Sequence, residues 1–129
     1  MKIAHPFRYE EELHNYHQKD AFVAVLPTGI ATKSVLLEAL ASVLAFPAYF
    51  GSNWDALFDC LRDFSWMSEH DIVLIHPELP MLPESDLKIY LRLLRDSVLD
   101  WRPEEAHHFD VVFAKSEEET VERLLCDGW

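Results

Sequence analysis

Three short apolar runs, separated by stretches that carry the period of a helix, restrict what this chain can fold into more than any other feature. Ala21-Phe-Val-Ala-Val-Leu26 is stopped by Pro27 and Gly29, and Asp71-Ile-Val-Leu-Ile-His76 is stopped by Pro77. Phe109-Asp-Val-Val-Phe-Ala114 is the third run. Runs of this length and β-branched content predict buried strands. Strand-helix-strand units of this size cross over right-handedly, which predicts an α/β fold with a mainly parallel three-stranded sheet and helices packed upon it.

The intervening segments fill in the helices. Thr32 or Ser34 can cap a helix in which Val35, Leu36, Leu37, Leu40, Val43 and Leu44 recur with helical period, and the turn at Pro47 ends it. Pro77, Pro80 and Pro83 impose an extended loop, after which Glu84 or Ser85 begins a helix running to about Trp101. Its buried stripe is Leu87, Tyr90, Leu91, Leu94 and Val98, and its wet face carries Lys88, Arg92 and Arg95. Ser116 caps a last helix over 116–125, with acids in its first turn and Val121, Leu124 and Leu125 to dock it. Tyr9, Leu13 and Tyr16 have helix-compatible spacing, so residues 1–20 are expected to add a short amphipathic helix. His107 and His108 are expected to face solvent in the loop before the third strand, and Trp129 either packs beneath the last helix or is available to a partner.

The segment from Phe46 to Phe64 holds the chemistry. Pro47 argues against continuing the preceding helix, Gly51 can adopt a positive φ at low cost, and Ser52 or Asn53 can cap a new helix beginning near Trp54. At about 100° per residue, Ala56, Leu57, Cys60, Leu61 and Phe64 share one face. Asp55, Asp59 and Asp63 line a stripe roughly 80° wide elsewhere. A row of aspartates on a helix is in most proteins a solvated face. Two features argue for more: like charges four residues apart cost a few tenths of a kcal/mol per pair, and Asp63 also opposes the helix dipole. Phe58 lies beside the acids and off the apolar face, where an aromatic flanked by carboxylates can anchor a partner.

Tyr49-Phe-Gly-Ser-Asn-Trp-Asp-Ala-Leu-Phe-Asp-Cys-Leu61 resembles the barstar family of ribonuclease inhibitors, whose pattern is close to Y-[YF]-G-x-N-x-D-A-L-W-D-C-L. The match is dense and ungapped here, and the order of elements extends it over about 21–114, with residues 1–20 and the helix over 116–125 as extensions. The resemblance implies a three-stranded parallel sheet with helices, and a second helix and preceding loop that enter a ribonuclease active site. It places Tyr49, Gly51, Asn53, Asp55, Phe58 and Asp59 among the contacts, with Asp59 where the family has its dominant acid. Asp63 would support them electrostatically, and a looser alignment puts Asp96 at a further acidic contact. Phe58 stands where the family has Trp, which removes an indole N–H, and Arg62 and Asp63 stand where small or neutral residues are common.

Charge agrees with a basic partner. Twenty-three acidic residues against 11 basic ones leave a formal charge of −12 at pH 7, which disfavours direct binding to nucleic acid or an anionic membrane. The 129 residues are one domain by length, no apolar run spans a bilayer, and the N-terminus lacks a signal-peptide core, so a cytoplasmic protein is expected. Cys60 and Cys126 are then expected as reduced thiols. His14 and His17 lie three apart, but no acidic or Cys ligand set completes a metal site; no cofactor is implied. An enzyme is not expected, because neither a Gly-rich phosphate loop nor a nucleophile-base pair is legible. The expected function is inhibition of a basic ribonuclease, including immunity to a ribonuclease toxin. The alternative is a barstar-like interaction module for a basic partner that is not a nuclease.

Overall fold

Two strands buried on both faces sit at the centre of the sheet. In the computed structural model, which describes residues 6–13, 18–48 and 50–126, the elements run β1 (Phe7–Glu10), β2 (Ala21–Val25), α1 (Lys33–Val43), α2 (Trp54–Leu61), β3 (Asp71–His76), α3 (Glu84–Asp100), β4 (His108–Ala114) and α4 (Glu118–Cys126). A single 3₁₀ turn, Lys115–Glu117, joins β4 to α4. The sheet is wholly parallel with strand order β1-β4-β3-β2. It therefore has four strands where three were expected.

The additional strand lies where a helix was expected. Phe7 is buried and Tyr9 packs against the same core, while Arg8 points to the opposite face and reaches Asp110 at 3.7 Å. That is the period of a strand, and four residues are too few for the Tyr9-to-Leu13 spacing to decide otherwise. The Tyr9 hydroxyl donates to the Glu122 carboxylate at 2.6 Å, which ties this edge strand to α4. Tyr16, His14, His17 and Trp129 lie outside the described residues.

Handedness fixes which face each connection takes. The steps β2 to β3 and β3 to β4 move across the sheet one way and place α1, α2 and α3 over Ile72, Leu74, Phe109, Val111 and Phe113. The step from β1 to β2 runs the other way, so a right-handed crossing must use the opposite face. Leu13 lies there, against Val73, Ile75 and Val112. Both faces of β3 and β4 are thereby covered, which is why those strands read as continuous apolar runs.

Burial corrects three details of the sequence reading. Val35 is 46% exposed, so α1 docks through Leu36, Leu37, Leu40 and Leu44. Lys88, Arg92 and Arg95 lie half-buried along the flanks of α3. His107 is buried, with Nδ1 2.7 Å from the Glu69 carbonyl, and His108 opens β4 with Nε2 3.1 Å from Asp110. Buried polar groups need partners, and the His107 ring meets the Glu69 carbonyl for that reason.

The end of α1 aims the chain at α2. Phe46 N–H donates to the Ala41 carbonyl at 2.9 Å and Ala45 N–H to Ser42 at 3.3 Å, the two bonds of a Schellman closure. Ala45 occupies its left-handed position with φ of 54°. Glycine is the residue that adopts this conformation without a Cβ penalty. Ala45 is exposed, so no packing is lost on trimming it. Ala45→Gly should raise the unfolding free energy by roughly 0.5–1 kcal/mol in urea titrations.

A buried imidazole sets an acid limit on the fold. His76 is fully buried, stacks on Phe113 at 4.4 Å between ring centroids, and shares a 2.7 Å hydrogen bond with the Tyr90 hydroxyl. Burial pushes its pKa down to about 3, against a smaller upward pull from the Val112 backbone. Between about pH 6.5 and 3 the unfolded chain holds this proton and the folded one does not, so stability falls with acidification across that window. The slope from this group reaches about 1.4 kcal/mol per pH unit. Urea titrations at pH 7 and 4.5 should show it in the native chain and lose that component in His76→Phe/Tyr90→Phe, which removes both polar partners together.

Candidate functional site

The loop before α2 is shaped by its own backbone. Phe50 N–H closes a turn on the Pro47 carbonyl at 3.0 Å. The positive φ expected at Gly51 belongs instead to Ser52, at 54°. A Cβ on Gly51 would have its nearest neighbours at 3.5 and 3.6 Å, ordinary contact, so neither backbone nor space demands glycine there. Asn53 is the cap of the two candidates: its Oδ1 accepts from Ala56 N–H at 2.7 Å, and its Nδ2 lies 3.4 Å from the Gly51 carbonyl. Tyr49 lies outside the described residues.

From that cap, α2 buries Leu57, Cys60 and Leu61 and turns Asp55 and Asp59 outward. These two carboxylates stand one turn apart, about 6 Å along the axis. Among the described residues neither makes a hydrogen bond or ion pair through its side chain. Asp63 does not complete a helical row of three, because α2 stops at Leu61 with Arg62 as its C-cap. Asp63 stands exposed in the following turn and accepts from the Ser65 hydroxyl at 3.2 Å. The turn is set by Phe64, which is buried with φ of 50° and leaves the helical path.

Phe58 is half-buried because α3 runs beside it. An open groove of about 500 Å³ between α2 and α3 is lined by Trp54, Asp55, Phe58, Asp59, Ile89, Arg92, Leu93 and Asp96. A second hollow, about 340 Å³, adjoins it and is lined by Phe58, Asp96, Leu99 and Asp100. Phe58 and Asp96 line both. The structure thus brings Asp55, Phe58, Asp59 and Asp96 to one surface, leaves Asn53 at its helix-capping edge, and displaces Asp63 past the helix end.

Trp54, Ile89, Leu93 and Leu99 were not singled out from sequence. The signal was available in part: residues 89, 93, 96 and 100 follow helical spacing on one side of α3. Trp54 is held by the Tyr90 ring at 6.3 Å between centroids and by the Lys33 ammonium 5.0 Å from its own ring.

The nearby cations are engaged differently. Arg95 pairs with Asp96 at 2.9 Å, so that carboxylate is already shared. Arg62 turns away from α2's acids: Nε bonds Asp100, an Nη lies 3.4 Å from Glu105, and the guanidinium stacks 4.1 Å from the Trp101 ring centroid. The Arg102 backbone N–H, and then Arg62, hold the Glu105 carboxyl below its ordinary range. Burial first, then the charges of Asp63 and Asp59, push the Cys60 thiol up, which keeps it protonated. Among the described residues no group of three His, Cys, Asp or Glu side chains could hold a metal ion, and no helix is long and apolar enough to cross a membrane.

Sheet, helices and groove define a small parallel α/β protein that displays a short acidic helix at its surface. The family described as Barstar (barnase inhibitor) matches residues 21–114, and the chain belongs to it. No curated protein matches the chain.

The cap can be tested apart from any binding role. Asn53→Ala should lower the unfolding free energy by about 1 kcal/mol, and Asn53→Asp should restore most of it, since Asp accepts the same N–H. Urea titrations of the free protein read both. Equal stability of all three chains would contradict the capping assignment.

Proposed function

We propose that the chain inhibits a basic ribonuclease by placing α2 and its preceding loop over the enzyme's cationic cleft. The observation that carries this reading is the exposed pair Asp55 and Asp59, without an ion-pair partner among the described residues, on the helix that holds the family's sequence pattern. A ribonuclease cleft is built to receive phosphates, so carboxylates at fixed spacing can occupy those places without being cleaved. Asp59 is the central anchor, Asp55 its neighbour one turn earlier, and Phe58 the aromatic contact between α2 and α3. Asp96 joins them by exchanging Arg95 for a cation of the enzyme. Asp63 adds field from the turn, and Tyr49, Gly51 and Asn53 add contacts from the loop sequence before α2. The inhibitor itself performs no chemical step in this mode.

The charge of −12 speeds encounter with a cationic enzyme, an effect that fades as salt rises. Truncating a hot-spot residue at a protein interface costs from about 2 up to about 8 kcal/mol, and an aspartate of barstar itself stands at the upper end of that range.

Asp59→Ala should weaken binding to the target ribonuclease by at least about 2 kcal/mol, about thirtyfold in Kd, by calorimetry or inhibition titration. Unchanged affinity would remove Asp59 from the interface.

A further inference from the structure

Five large apolar side chains are exposed among the described residues: Val25, Val35, Met81, Ile89 and Leu99. Ile89 and Leu99 alone among them border the hollows beside α2, Ile89 in the larger groove and Leu99 in the smaller. They are 41% and 51% exposed. The core does not need them, because α3 is docked through Leu87, Tyr90, Leu91, Leu94 and Val98. Helix propensity does not need them either, since Lys, Glu or Gln serve an exposed helical position as well.

Their position relative to the acids gives them a use. Asp96 lies between them on α3 and borders both hollows; Ile89 shares the larger groove with Asp55, Phe58 and Asp59, and Leu99 shares the smaller hollow with Phe58 and Asp100. The attraction between opposite charges strengthens as water is excluded from around them, because the effective dielectric falls. Apolar contacts that surround charged ones and exclude water therefore raise the value of each charged contact.

Resting on the assignment of α2 as the partner-facing helix, we infer that Ile89 and Leu99 are specificity-determining contacts, and that the partner is a basic protein carrying apolar side chains directly beside its cationic ones. Those side chains cover Ile89 and Leu99 and seal the two hollows over Asp55, Asp59 and Asp96. A cationic surface with a polar flank gains the Coulomb attraction but leaves the hollows wet.

The test uses the full chain and two peptides of equal charge, acetyl-Arg-Leu-Arg-Leu-Arg-amide and acetyl-Arg-Ser-Arg-Ser-Arg-amide, titrated by NMR with methyl and amide detection. The leucine peptide should bind about fivefold or more tightly and move the Ile89 and Leu99 methyl signals. Ile89→Ser/Leu99→Ser, at two exposed positions, should abolish that preference, whereas Asp59→Ala should weaken both peptides alike. Equal affinity of the two peptides, or a preference that survives in the double variant, overturns the inference while leaving the acidic-helix reading in place if the shifts still centre on Asp55 and Asp59. Absence of any shift on α2 with either peptide overturns both.

Discussion

An eight-residue helix does not hold itself together in water, so the acidic surface depends on how α2 is fastened at its two ends. Asn53 closes the first turn. At the other end the Trp101 indole N–H donates to the Leu61 carbonyl at 2.8 Å, satisfying one of the acceptors that a helix leaves open. Trp66 does the same for α1 by donating to the Leu44 carbonyl at 3.0 Å. Phe64 lies between these two indoles and against His107 and Phe109, in the left-handed conformation that turns the chain from α2 toward β3. The orientation of α2, and with it of Asp55 and Asp59, thus depends on an aromatic cluster at the C-terminal end of the helix.

Charge is distributed to the same effect. Arg62, Arg8, Lys88, Lys115 and Arg123 all pair with acids that lie outside α2. Exposed pairs of this kind contribute little to stability, typically under about 1 kcal/mol each. Their consequence is spatial: these cations are engaged by acids other than Asp55 and Asp59, while Arg92 lines the groove beside that pair. Arg62 is the clearest case, because a cation one residue beyond α2 is drawn off to Asp100, Glu105 and the Trp101 ring.

The central strands and the four α-helices of the described residues were legible because their apolar periods are long enough to be unambiguous. β1 was not: over four residues, Phe7 and Tyr9 alternate like a strand while Tyr9 and Leu13 match a helix, and only the unpaired edge of β4 decides between them. The acids of α2 were readable from local spacing, which left Ser52 and Asn53 both open as the cap until the Ala56 N–H bond decided for Asn53. Asp63 was misplaced because Phe64 gives no sequence sign of a left-handed turn, which glycine usually marks. The groove itself was hidden, since Ile89, Leu93 and Leu99 acquire a neighbour only when α3 is laid against α2. His107 was misread for a related reason: its partner is the Glu69 carbonyl, distant in sequence.

The pairing of β1 with β4 joins Phe7 to Val111, about a hundred residues further along. During synthesis β1 must therefore wait until β4 has been made, while β2, α1, α2 and β3 can assemble from closer neighbours. Until β1 docks, β4 keeps one row of backbone donors and acceptors open, on an apolar strand that can recruit another molecule. The short strand β1 thus acts as a closing seam over an edge that would otherwise stay open.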